Sequence, residues 1–299
     1  MDKLSRKFSI LLSNFMQKVL ALVFGVGAVI LPNMSSRLVW RIFCTPPANH
    51  SRNNQLKKQL RDEANTIDMN YEHSFIRTYA WSHRSVEYKG KVALIHGWGS
   101  YALSMACLIN PLRDSGYDVI TFDSRAHGES PGRQSTLPEF VNILDAVVSR
   151  LGPVDAVLAH SFGSVVITSW ISESTRLGQP ELVKKLILVS SPKGMKEIVE
   201  RFSIFLNLPS LHRTFLIKQV EKVTMQPIDA LAATQFLKQR KVKVLLVHDR
   251  DDSQVPITDS QQIVEAIDDG ELMVTSGLGH TRILCDDVVV QRVVSFLDD

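Results

Sequence analysis

Ser161 is the residue of this chain best placed to act as a nucleophile. It stands in the run Ala159-His160-Ser161-Phe162-Gly163, after the apolar segment Val154–Ala159, which Gly152-Pro153 introduces. The residues that follow, Ser164 to Ile171, can continue as a buried helix. A serine pinned between a strand end and a helix start, with small residues two places to either side, reads as a nucleophile elbow. The turn is so tight that bulky neighbours would collide, and the serine's backbone is held in a strained conformation. The usual pattern is G-x-S-x-G, and Ala159 takes the place of its first glycine. In isolation such a serine would be read as an ordinary helix cap, so the assignment depends on partners elsewhere.

A serine hydroxyl attacks only when a base accepts its proton, and neutral imidazole suits that task near pH 7. Two downstream segments supply the types required, in the order nucleophile, acid, histidine. The apolar run Lys243–His248 leads into a loop with Asp249, Asp251 and Asp252, and the run Glu271–Thr275 leads into Ser276-Gly277-Leu278-Gly279-His280. Each candidate sits just beyond a strand, where loops of open α/β sheets carry chemistry.

Three further blocks fit the same scheme: His96-Gly97-Trp98-Gly99-Ser100, Asp123-Ser124-Arg125-Ala126-His127-Gly128-Glu129-Ser130, and His248 to Val255-Pro256. With these, residues 72 to 299 resemble the α/β-hydrolase family. The second block is similar to D-x-R-G-H-G-x-S with Ala126 for a glycine. The third is similar to H-G-x-x-D-x-x-V-P with Asp249 for a glycine. The resemblance implies a mostly parallel, eight-stranded sheet with helices on both faces and a small helical lid. Aligned on Val255-Pro256, it places the acid at Asp252, with Asp251 and Asp249 as near competitors. Catalysis would fall to Ser161, Asp252 and His280, with the backbone N–H groups of Trp98 and Phe162 as an oxyanion hole. The implied reaction is cleavage of an ester or thioester through an acyl-enzyme, with lipid-like acyl groups among the candidate substrates. The competing reading is a non-catalytic hydrolase-fold protein that binds a ligand or partner at the membrane, motivated by the altered positions 126, 159 and 249. His96, His127, His160 and His248 read as structural, and Asp123 and Arg125 as braces of their turn. No H-x-x-x-H or C-x-x-C spacing accompanies them, so neither metal nor cofactor is expected.

The positioning elements can be read from runs of hydrophobic residues. Val92–His96, Asp118–Asp123, Val154–Ala159, Lys185–Ser190, Val242–His248 and Leu272–Thr275 are nearly continuous apolar runs, as for strands covered on both faces. Phe75–Trp81 and Val86–Lys89 are predicted as earlier antiparallel strands. The 299 residues, 44% hydrophobic and 22% charged, are ordinary for one large globular core. A net charge of +3, without nucleic-acid motifs, excludes a polyanion as the expected partner. A small-molecule acyl substrate is expected instead.

Three other regions lie outside that core. Residues 1–45 carry Lys3, Arg6, Lys7, Lys18, Arg37 and Arg41 against Asp2, around an apolar stretch from Phe8 to Leu31. Length and charge favour a membrane-associating segment with the hydrolase domain cytoplasmic; a secretory signal, a spanning anchor, and a helix on the membrane or on the domain compete. The alternative is a soluble cytoplasmic protein. Residues 46–71 read as a polar connector with a helix over Gln55–Ala64, and about 193–240 as the lid insertion, helical at Ile198–Leu206 and Phe215–Val223. The insertion's apolar residues would either close a core or wall a pocket. Cys44, Cys107 and Cys285 are odd in number and widely spaced, so no disulfide framework is implied, a reducing compartment is favoured, and Cys285 reads as a buried helix residue.

Overall fold

The computed structural model describes residues 19, 22–47, 54–177, 183–238 and 242–299. The chain divides into two compact units, Met1–Thr45 with Met195–Ala230, and Pro46–Gly194 with Leu231–Asp299. Its described helices are α1 (Pro32–Phe43), α2 (Gln55–Glu63), α3 (Ala106–Asp114), α4 (Leu137–Leu151), α5 (Phe162–Arg176), α6 (Met195–Phe205), α7 (Ser210–Thr224), α8 (Ala233–Leu237), α9 (Ile257–Glu265), α10 (Gly279–Arg282) and α11 (Asp287–Asp298). Helices α1, α6 and α7 belong to the first unit and the rest to the second.

The second unit is built on one eight-stranded sheet: β1 (Asn65–Tyr71), β2 (Ser74–Trp81), β3 (Gly90–Ile95), β4 (Tyr117–Phe122), β5 (Ala156–His160), β6 (Lys185–Val189), β7 (Lys243–Asp249) and β8 (Gly270–Thr275). The spatial order is β1-β2-β4-β3-β5-β6-β7-β8. β2 is antiparallel to both β1 and β4, and every later pairing is parallel. This is the mostly parallel, eight-stranded α/β architecture expected from the sequence. The central strands β3, β5, β6 and β7 are buried almost throughout, which explains their unbroken apolar runs. Because these strands are parallel, their carboxyl ends all open on one edge of the sheet, and Ser161, Asp252 and His280 follow β5, β7 and β8 there.

The sheet begins earlier than expected. β1 lies inside the stretch read as a polar connector, and Val86–Lys89 forms no strand. β1 is an edge strand whose sequence NTIDMNY hides only every second residue in part. Such a segment has too little apolar content to stand out from a linker. At Val86–Lys89 the chain is exposed at Val86 and Tyr88, and Lys89 N–H donates to the Gly116 carbonyl instead of to a strand partner.

Cysteine pairing is a second correction. Cys107 on α3 and Cys285, in a 3₁₀ turn at Ile283–Cys285, form a disulfide with a Cα–Cα distance of 5.2 Å. Cys285 is exposed, not a buried helix residue. The bridge joins positions 178 residues apart. Their neighbours Leu108, Ile109, Ile283 and Leu284 meet in one apolar core, which brings the thiols together. Spacing along a chain holds no trace of such a meeting, and the expectation of a reducing compartment loses its basis.

In the first unit α1 packs on the inserted helices. Phe43 meets Phe202 edge-to-face at 5.0 Å between ring centroids, and Ser35 Oγ lies 2.9 Å from His212 Nε2. A preceding helical stretch over 22–30 places Phe24 against the His212 ring at 5.8 Å. The N-terminal segment and the insertion, far apart in the chain, therefore form a single unit. No helix among the described residues is long and apolar enough to cross a membrane.

Removal of the disulfide with Cys107→Ser/Cys285→Ser is expected to cost about 2–4 kcal/mol of unfolding free energy. Urea titration should show the same loss when the unmodified protein is reduced.

Candidate active site

Ser161 occupies the one-residue junction between β5 and α5, with φ 53° and ψ −122°. A side-chain-bearing residue at positive φ is strained, and surrounding contacts must hold it there. Two do so. Ser161 N–H donates to the Val189 carbonyl at 2.9 Å, tying the turn to the end of β6. Gly163 lets α5 settle on β3: a Cβ there would lie 2.6 Å from the Ile95 carbonyl oxygen and 2.8 Å from that of His96. The Ser161 hydroxyl makes no capping bond to α5. That removes the reading of this serine as a helix cap.

The hydroxyl instead lies 3.0 Å from His280 Nε2, while His280 Nδ1 lies 2.7 Å from Asp252 Oδ2. An Nδ1–H donated to the carboxylate leaves Nε2 as an acceptor for the serine proton. Asp252 Oδ1 accepts from Gln254 N–H at 2.8 Å and Val255 N–H at 3.0 Å. Burial works against its charge, but the bonds from His280, Val255 and Gln254 prevail and bring its pKa down to about 2. Asp252 is therefore ionised at neutral pH.

The neighbouring aspartates do something else. Asp251 Oδ2 accepts from Gly277 N–H at 2.7 Å and does not meet the imidazole. Asp249 accepts the Thr275 hydroxyl at 2.7 Å and Leu278 N–H at 3.1 Å on one oxygen, and Asp251 N–H at 3.0 Å on the other. It is fully buried, and these donors outweigh desolvation to hold its carboxyl below the usual range. The residue that replaces a glycine thus clasps the acid loop to the histidine loop.

His160, read from sequence as a structural histidine, ties distant parts of the chain together. Its Nε2–H donates to the His280 carbonyl at 2.8 Å, across 120 residues, and its ring stands 4.8 Å from the His280 ring. Burial lowers its pKa to about 3, so it is neutral and holds His280 without adding charge. No sequence signal marked this role beyond a histidine beside Ser161.

Phe162 is the first residue of α5, so its N–H has no acceptor within the helix. The α5 macrodipole puts partial positive charge at the same end. Trp98 follows Gly97, at which a Cβ would lie only 3.0 Å from Ser161 Cβ. The loop after β3 therefore runs in contact with the serine. The Trp98 ring meets Phe162 and His127 edge-on at 5.3 and 5.2 Å.

The remaining polar residues support the frame. His96 Nδ1–H donates to the Gly97 carbonyl at 2.8 Å while Nε2 accepts Ser124 N–H at 3.1 Å, and burial keeps its pKa far below the ordinary value. His127 is brought down to about 4 by burial. His248 is buried between the Ser260 hydroxyl at 2.7 Å and the Val255 carbonyl at 2.9 Å. Asp123 accepts Ala102 N–H at 2.7 Å and Glu129 N–H at 2.8 Å, and burial raises its pKa to about 6. Arg125 pairs with Glu72 and Glu139. Among the described residues no group of three or more His, Cys, Asp or Glu is disposed to hold a metal.

Comparison with known proteins agrees with the fold that carries this site. A family model described as "alpha/beta hydrolase fold" matches residues 92–224. None of the curated proteins matches. Among solved structures, an esterase from Pyrococcus furiosus aligns with TM-score 0.61 at 24% identity, covering 85% of this chain and 98% of its own. A soluble variant of monoglyceride lipase from Saccharomyces cerevisiae aligns with TM-score 0.56 at 16% identity, covering 84% and 96%. A bromoperoxidase from Bacillus anthracis aligns with TM-score 0.57 at 16% identity, covering 79% and 100%. Their activities differ, so what these neighbours share with the chain is its fold.

Two outcomes follow from the site's frame. Ala126 holds φ 62° where glycine would be unstrained, so Ala126→Gly should raise stability by up to about 1 kcal/mol, read as a higher Tm. Asp252 has a lowered native pKa, so the stability it brings is complete above about pH 4 and is lost as pH falls toward 2. The stability gap between wild type and Asp252→Asn should therefore narrow on acidification, by on the order of 2 kcal/mol in denaturant titrations.

Proposed function

We propose that this α/β-hydrolase-fold protein is a serine hydrolase that cleaves an ester or thioester through an acyl-enzyme. One observation carries the reading: in a strained strand-to-helix turn, a hydroxyl not used as a helix cap lies 3.0 Å from an imidazole whose other nitrogen is 2.7 Å from a buried carboxylate.

In this mechanism Ser161 Oγ attacks the substrate carbonyl carbon while His280 Nε2 takes the hydroxyl proton. Asp252, ionised and held by two amides, fixes the tautomer and stabilises the imidazolium that forms. Negative charge gathering on the carbonyl oxygen is met by the N–H groups of Phe162 and Trp98, each such donor typically worth about 10²–10³ in rate. Because these donors are main-chain groups, replacing either side chain does not delete them. The tetrahedral intermediate collapses as His280 returns the proton to the leaving alkoxide or thiolate. Water, deprotonated by the same imidazole, then releases the acid and restores the serine.

The class of bond rests on the chemistry of the triad together with the named activities of structural neighbours, which include an esterase, a monoacylglycerol lipase and a thioesterase domain. Aspartate would stand at the elbow in a dehalogenase or epoxide hydrolase, and serine stands here. The departures at 126, 159 and 249, which motivated a non-catalytic reading, leave the three side chains in contact.

Ser161→Ala should reduce turnover of a p-nitrophenyl ester series by about 10⁴-fold or more. Asp252→Asn should lose about 10⁴-fold, and Asp251→Asn should stay within a few-fold of wild type. A fluorophosphonate probe should label Ser161 and fail on His280→Ala. Ester turnover that survives Ser161→Ala overturns the proposal.

A further inference from the structure

The two units differ in where their apolar side chains go. Of the nineteen large hydrophobic residues exposed among the described residues, fourteen lie in the unit formed by the N-terminal segment and the insertion. In the stretch over 22–30 the exposed residues are Leu22, Val23, Val26, Val29 and Ile30. Their spacing (i, i+1, i+4, i+7 and i+8) puts them on one helical face, while Phe24 on the opposite face is buried against His212. On α1 the exposed face is Met34, Arg37, Leu38 and Arg41, and Ser35, Ser36 and Val39 are turned inward.

The insertion contributes to the same region. His212, near the start of α7, touches both Phe24 and Ser35, so the α6–α7 turn lies beside the N-terminal residues. That turn exposes Ile204, Phe205 and Leu211, Ile204 to 78%. Val29 is exposed to 82%. Isolated exposed hydrophobics need no explanation, but so many gathered in one compact unit mark an interaction surface.

Charge identifies the partner. Residues 1–45 carry six basic side chains against one acid, and Arg37 and Arg41 alternate with Met34 and Leu38 on the exposed face of α1. An apolar face edged by arginine fits a lipid headgroup boundary: the aliphatic groups enter the acyl region and the guanidinium groups meet anionic headgroups. A one-sided apolar face of this kind suits a helix lying along the bilayer surface.

We propose that the N-terminal segment and the α6–α7 turn together form one docking surface for an anionic membrane, so that the inserted helices, and not the N-terminus alone, bind the bilayer. This inference is independent of the catalytic reading.

The test is flotation of the full chain with vesicles of phosphatidylcholine alone or with phosphatidylserine. Wild type should float with the anionic vesicles. Val29→Ser/Ile30→Ser and Ile204→Ser/Phe205→Ser should each weaken partitioning about tenfold or more, since each removes two large apolar side chains from the buried face. Arg37→Gln should weaken it about fivefold on anionic vesicles only. Each altered side chain is exposed, so elution volume and melting should stay at wild-type values, and Ser161→Ala should float like wild type. Wild type that stays unbound overturns the proposal. So does an Ile204→Ser/Phe205→Ser protein that floats normally, since the insertion would then be no part of the face. Concentration-dependent self-association without vesicle binding would assign the face to a second copy of the chain and overturn it equally.

Discussion

The contact of Gly163 with the carbonyl oxygens of Ile95 and His96 fixes where α5 begins, and the geometry of Ser161 depends on it. Any side chain at 163 would lift the helix off β3. The junction residue would then have room to relax from its positive φ. Held down, the turn has only one residue in which to pass from strand to helix, and the hydroxyl of that residue is left outside the helix's own hydrogen bonding. The amide bond from Ser161 to Val189 fastens the turn from the other side. The strain is local, and the packing of an entire parallel sheet maintains it.

The other two members of the constellation are held by buried polar bonds. Loops after β7 and β8 would ordinarily be mobile, yet here they are joined through Asp249, which takes donors from both. His160 then fastens the His280 backbone to the strand that leads into Ser161. Buried polar groups stabilise only when their bonds are made, and once made they specify one arrangement sharply. Asp252 illustrates the balance: desolvation opposes its charge, and three directed donors more than offset that cost. The same balance at Asp123 goes the other way, since burial there exceeds what two amides and a tyrosine return. The carboxylate that faces the imidazole is thus held below its ordinary pKa, while the one bracing the earlier turn is pushed above it.

Outside the sheet, the chain folds its N-terminal segment and its insertion into a unit with a different surface chemistry. Phe24, Ser35 and Phe43 supply its interior contacts to His212 and Phe202, and the opposite faces of the same helices are left apolar and edged with basic residues. A helix amphipathic in the usual sense puts polar residues outward. These helices bury small and aromatic residues on one side and present aliphatic ones on the other.

By itself, the sequence determined the order of the candidate site residues and most of the sheet. Continuous apolar runs betrayed the central strands because both of their faces are covered, and small residues around Ser161 betrayed the turn because sterics permit little else. It left open which of three close aspartates faces the imidazole. That depends on how the end of β7 and the loop after it direct each carboxylate, and those directions follow from hydrogen bonds, not from residue types. Edge strand β1 escaped notice because its exposed faces need no apolar residues. The Cys107–Cys285 bridge, the reach of His160 to residue 280 and the union of the N-terminus with the insertion were decided by tertiary structure alone. Each joins segments more than a hundred residues apart, and the free energy that brings them together belongs to the packed core, which no local pattern records.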